Sequence, residues 1–197
     1  MQIPLRTGVS KILCKRHNEA LSPYDSEAAK LSIFLTSNID DEPLKTDAIA
    51  LNGALIEKWA LKTCINLGFI GALDQVAFTR IAPPESLVRE VFSNGAPSDG
   101  TGLYFVTGAV SNDNYKVGLS WNAIRNVNSG GGVVGMTFTF NNVRFVVSVI
   151  PVRAEQLIAN MGVVNGVDYS KAKVIYRPQG IALNSNTAGR KQIDLRW

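Results

Sequence analysis

The spacing of apolar residues changes period near Gly100, and this change confines the chain to folds that pack helices against a sheet. Before it, apolar side chains recur at three and four residues; beyond it, they alternate. The alternation is clearest where Met136-Thr137-Phe138-Thr139-Phe140 meets Val143-Arg144-Phe145-Val146-Val147 across Asn141-Asn142. Two asparagines tolerate the positive φ that a two-residue hairpin turn demands. The register of that hairpin directs Phe138, Phe140, Val143 and Phe145 to the core. Residues 103–107 and 115–119 read as further strands, residues 152–161 as a short helix, and residues 174–176, 181–183 and 191–195 as closing strands. The expected class is α+β, with N-terminal helices and a largely antiparallel sheet of about five or six strands.

In the first half, residues 9–14 read as a short strand. Ser22 is placed to cap a helix, with Pro23 at its first position and Tyr24, Ala28, Leu31, Phe34 and Leu35 forming its apolar face as far as about Ser37. Asp25 and Glu27 then suit the positive end of that helix. Residues 46–51 extend briefly, and Asn52 caps a second helix over residues 53–67, so rich in apolar positions that burial on more than one side is expected. Gly68 and Gly71 mark its end. A third helix over 84–92 turns Leu87, Val88, Val91 and Phe92 inward, and residues 94–100 form a turn-rich link. We expect one domain over 1–197, helical to about residue 95 and mainly β from about residue 101.

Apolar residues make up 46% of the 197 residues, enough for a substantial core. The longest apolar runs, 60–73 and 143–152, are interrupted by polar residues or proline and fall short of the roughly 20 residues of a membrane helix. The N-terminus lacks the pattern of a signal peptide, and two cysteines cannot make a disulfide framework, so cytoplasmic residence with reduced thiols and no membrane contact is the expectation. The net charge of +4 invites a nucleic-acid partner. Lys11, Lys15 and Arg16 form one basic group; Arg177, Arg190, Lys191 and Arg196 form another. Asp40-Asp41-Glu42 reads as a solvated acidic turn, and Gly130-Gly131-Gly132 opens a strand, which is not the strand-glycine-helix order of a phosphate-binding loop. Trp59 and Trp121 fall within elements of the core. Trp197, beside Arg196, reads as the end of an edge strand or as an exposed anchor of the kind found at interfaces.

The only histidine and one of the two cysteines stand together in Leu13-Cys14-Lys15-Arg16-His17-Asn18. A structural zinc takes two short-spaced ligand pairs. Cys14 and His17 supply one such pair, placed between a strand end and a loop. The remaining soft ligand, Cys64, falls in the middle of the apolar second helix and reads as a small core residue. Zinc is therefore possible, but no cofactor is required by these residues.

The segment from Ile12 to Asp25 resembles a segment of uncharacterised bacterial and phage-borne proteins related to HNH endonucleases, with looser matches at 56–63, 102–104 and 132–138. The resemblance implies that Cys14 and His17 correspond to the distal zinc pair and that Asn18 corresponds to the asparagine that orients the catalytic base. Nothing here corresponds to the family's upstream cysteine pair or to its base histidine. A missing general base alone costs a factor of about 10²–10⁴. The resemblance therefore implies a non-catalytic, nuclease-derived binding protein of a bacterium or phage that engages nucleic acid or a protein. One alternative is a protein-interaction inhibitor in phage-host conflict. Another is an HNH-like nuclease whose zinc site is completed in a homodimer by two Cys14 and His17 pairs.

Overall fold

The computed structural model describes residues 15–37, 46–71, 82–108, 110–111, 119–126, 132–140, 143–161, 163–164, 167–169, 171–184 and 190–197. The strand expected at 9–14, the acidic turn at 40–42 and the start of the strand expected at 115–119 lie outside them.

The first helix, α1 (Lys15–Thr36), begins well before the expected cap and runs through Ser22 and Pro23. Leu21 accounts for the extension. It is buried on the same face as Ala28 and Leu31, and burying a leucine is worth about 1.5–3 kcal/mol. That gain opposes the cost of an interior proline, which removes the N–H that would bond the Glu19 carbonyl. Glu19 is exposed, so water can serve that carbonyl. Asp25 and Glu27 consequently lie in mid-helix, away from the positive end. Asp25 pairs with Lys62, and buried Glu27 accepts the Asn52 N–H at 2.6 Å and pairs with Lys30 at 2.7 Å.

Strand β1 (Thr46–Asn52) leads directly into α2 (Gly53–Phe69). Asn52 caps α2 as its sequence position suggests, its side chain accepting the Leu55 N–H at 3.1 Å. Gly68 is buried inside the helix, and the turn follows at Gly71, whose φ is +78°. Burial on several sides is confirmed by Ile56, Glu57, Lys58, Ala60, Leu61 and Cys64. In α3 (Glu85–Phe92), Leu87 and Val91 face the core. Phe92, expected inward, is instead exposed, because it stands about 100° round the helix from buried Val91.

The β half comprises β2 (Gly102–Thr107), β3 (Val110–Ser111), β4 (Leu119–Arg125), β5 (Val133–Phe140) and β6 (Val143–Ser148). Helix α4 (Ala154–Met161) is followed by β7 (Val163–Val164), β8 (Val167–Asp168), β9 (Lys173–Tyr176), β10 (Gly180–Asn184) and β11 (Arg190–Arg196). Five of these strands form an antiparallel sheet in the order β4-β5-β6-β2-β9. The expected hairpin is its centre. Phe140 pairs with Val143 and Phe138 with Phe145, the last two rings stacking at 5.2 Å, and all four side chains are buried.

Both faces of this sheet are covered. One packs against α1 and α2 through Leu103, Met136, Phe138, Phe145 and Val147; the other packs against α4 through Tyr104, Val106, Val146, Leu157 and Met161. Double coverage explains why β5 and β6 are buried almost continuously instead of alternating. The last two strands do not close this sheet. They join β1 in a second sheet, ordered β1-β11-β10, in which β1 and β11 run parallel. Strands β3, β8 and β7 make a third, small sheet. The fold is α+β, and among the described residues no helix is long and apolar enough to cross a membrane.

Candidate functional site

The residues singled out by the cysteine-histidine spacing fall at the start of α1. Lys15, Arg16, His17 and Asn18 are helical, so the loop expected between Cys14 and the helix is replaced by the helix itself. Cys14 and Lys11 lie outside the described residues. Cys64 sits in the core between α1, α2 and the sheet, where burial pushes its thiol up to about 12. A thiol so placed stays neutral and unreactive, in keeping with a packing role. Among the described residues, no three His, Cys, Asp or Glu side chains come together in a group that could hold a metal ion.

Among the described residues, the basic side chains singled out from the sequence do not come together in one patch. Lys15 is exposed and lies 3.9 Å from Glu19; Arg16 and Arg196 are also exposed. Lys191 departs from the expectation of a surface charge. It lies on the inward face of β11 with Ile193 and Leu195, is only 7% exposed, and donates to the carbonyls of Phe34 and Ser37. Those carbonyls belong to the end of α1, so Lys191 caps a helix C-terminus, where a cation also meets the negative end of the helix dipole. Burial lowers its pKa despite the nearby Asp47. Lys191 therefore sits by Phe34, whereas Lys15 and Arg16 start the same helix, roughly 28 Å away along the axis. Arg190 begins β11 next to Lys191. Lys58 has an equivalent role in α2, since it is buried, donates to the Ser93 carbonyl just past α3, and lies 5.9 Å over the Tyr24 ring.

Among the described residues, charged and aromatic groups gather around Glu57, which has no solvent exposure. Its Oε1 accepts the Leu103 backbone N–H at 2.8 Å and the Arg177 Nε–H at 3.1 Å; its Oε2 accepts from Arg177 Nη2 at 3.1 Å. Arg177 Nη2 also donates to the Pro97 carbonyl at 2.9 Å, and the Arg177 backbone N–H donates to the Leu103 carbonyl at 3.0 Å. One ion pair thus joins α2, the turn before β2, β2 itself and the link from β9 to β10. The backbone conforms to it. Gly102 has a φ of +123°, and a Cβ there would collide with the Glu57 carboxylate. Arg177 has a φ of +43°, the only positive value at a non-glycine residue among those described. Burial raises the Glu57 pKa, a push that hydrogen bonds from Arg177 and Leu103 oppose without cancelling.

Aromatic rings enclose the pair. Tyr104 and Tyr176 pack at 4.9 Å; the Tyr176 hydroxyl donates to the Thr101 carbonyl at 3.0 Å, and the Tyr104 hydroxyl lies 3.0 Å from both the Gly100 and Val152 carbonyls, which share its one proton. The Arg177 guanidinium lies 4.8 Å from the Tyr176 ring and 5.8 Å from the Trp197 ring. Trp197 follows β11, which is the central strand of its sheet and not an edge strand. Its indole N–H donates to the Pro178 carbonyl at 2.9 Å, its ring lies against Gly53, and 42% of it remains exposed.

Chemically, the Glu57 cluster is a clasp. Both carboxylate oxygens accept from protein donors and have no solvent exposure, so they hold the fold and are not open to a substrate. What reaches solvent is the Trp197 ring, held on one face against Gly53; Arg196, the residue before it, is also exposed. None of Glu57, Lys58 and Tyr176 was among the residues nominated from sequence. The available signal was two adjacent charges inside a helix apolar on nearly every side. A scan against protein-family models finds no match, and neither the curated proteins nor the solved structures searched contain one.

Proposed function

We propose that this protein is a non-catalytic binding module that engages a protein partner through the surface around Trp197. The observation that carries the proposal is the Trp197 ring, held by a hydrogen bond and by Gly53, with the Arg177 guanidinium 5.8 Å from it, yet 42% exposed. Tryptophan and arginine dominate interface hot spots, and a side chain already fixed loses little entropy on binding. The dispersal of the basic residues favours protein over nucleic acid, because cooperative phosphate neutralisation calls for adjacent cations and Lys191 is spent inside the molecule. Descent from an HNH-type nuclease of a bacterium or phage belongs to the same proposal and rests on the segment from Ile12 to Asp25.

The test compares the full chain with Trp197→Ala in extracts of the source cells. A single stoichiometric protein retained by the native chain and lost with Trp197→Ala is the expected result. Binding of single-stranded or duplex nucleic acid that weakens steeply with salt and is unaffected by Trp197→Ala would overturn it in favour of the nucleic-acid reading.

A further inference from the structure

The Trp197 ring and the Glu57 clasp are coupled through a single short segment. Arg177 is bound to Glu57, and the next residue, Pro178, supplies the carbonyl that holds the Trp197 indole. Arg177 is also held at φ +43°, a conformation unfavourable for an L-residue that persists only where its surroundings enforce it. The surroundings here are the carboxylate of Glu57 and the carbonyls of Pro97 and Leu103.

We propose that Glu57 and Arg177 form a proton-operated latch: protonating Glu57 releases residues 176–180 and the Trp197 ring while the two larger sheets remain folded. A proton on Oε2 removes the carboxylate charge and sets an O–H against Arg177 Nη2, so that Arg177 keeps only its bonds to neutral acceptors, from Nε to Oε1 and from Nη2 to the Pro97 carbonyl, which are weaker than the charge-assisted pair. Oε1 can still accept the Leu103 N–H, so β2 keeps its anchor. Arg177 is 21% exposed and has a route to water that Glu57 lacks. Its departure removes the side-chain part of the restraint on the positive φ, leaving the backbone bond to the Leu103 carbonyl alone, and relaxation of the backbone at Arg177 carries the Pro178 carbonyl away from the indole.

The groups facing Glu57 leave it as the proton acceptor. Lys58 on its own helix and Arg177 are cations, and both favour its charged form. Tyr104 and Tyr176 are pushed upward by burial and stay neutral through the acid and neutral range. Asp99, in the turn before β2, is the other carboxyl acting on the cluster, and it is exposed. Burial raises the Glu57 pKa, so this proton is taken up more readily by the folded protein than by the unfolded chain. Protonation is thus compatible with an intact core, and the response is local. The latch stands whether or not Trp197 meets a partner, since it is read on the indole itself.

The experiment is an acid titration of the full-length protein by proton-nitrogen correlation spectroscopy, with the Trp197 indole assigned through Trp197→Phe. On acidification from neutral pH the Trp197 indole resonance is expected to shift and to lose its protection from exchange, while amides of β5 and β6 stay protected. Glu57→Gln, which mimics the protonated side chain, is expected to show the released indole already at neutral pH and no titration. Asp99→Asn is expected to titrate like the parent. An indole that does not respond to pH, a response that survives in Glu57→Gln or vanishes in Asp99→Asn, or loss of β5 and β6 protection at the same pH would each overturn the latch. If Glu57→Gln does not fold, the parent and Asp99→Asn titrations decide the matter.

Discussion

Glu57 and Lys191 show how charged side chains enter this interior without being orphaned. Each is surrounded by backbone or side-chain partners that replace the water it lost, as burial of polar groups requires. The consequence for Glu57 depends on pH. Its raised pKa means that the stability it contributes is fully present below the ordinary glutamate value of 4.5 and declines as pH rises through the raised value. Arg177 restrains that decline by lowering the Glu57 pKa. Arg177→Ala is therefore expected to cost about 3–5 kcal/mol at neutral pH, where it leaves an unpaired buried carboxylate, and distinctly less in mild acid, where the carboxyl is neutral. Urea unfolding at the two pH values measures the difference, and equal losses at both would contradict it. Neither role could be read from local sequence. Alternation along Ile193, Asp194 and Leu195 does place Lys191 on the inward face, but a lysine at that position is intelligible only once the end of α1 is known to lie against it.

At the level of elements, the sequence reading succeeds where structure is decided within a few residues. Asn52 caps α2 and the hairpin around Asn141-Asn142 has the expected register, since capping and tight turns are short-range chemistry. The start of α1 is where local signals mislead. Ser22-Pro23 is a sound helix beginning, yet the helix continues through it because Leu21 has a core to reach. This makes Pro23 an interior proline, with a missing hydrogen bond and a steric clash against the preceding turn. Pro23→Ala is expected to stabilise the protein by up to about 3 kcal/mol and to raise its melting temperature. A helix beginning at Pro23 would gain nothing from the change, so thermal unfolding of this one variant separates the two boundaries.

Across the whole molecule, the pairing least visible in the sequence determines how the halves depend on each other. Strand β1 comes from the helical half and β11 ends the chain, yet they are parallel neighbours from Thr46 opposite Arg190 to Asn52 opposite Arg196. Hydrophobic period identifies both as strands but carries no information about which distant strand will lie beside which. Trp59 of α2 adds a second tie, its ring 5.7 Å from Phe138 and 5.3 Å from Phe140 of the central hairpin, and Glu57 adds a third through Arg177. A helical half that lost the β half would expose β1, one side of α2 and the residues that satisfy Glu57. Neither half then retains a complete core, and cooperative unfolding as one unit follows. Urea transitions followed by far-ultraviolet circular dichroism, which reports mainly the helices, and by near-ultraviolet dichroism of the packed aromatics are expected to coincide in midpoint and slope. Separated midpoints would mean that β1, Trp59 and Glu57 leave the two halves free to unfold independently.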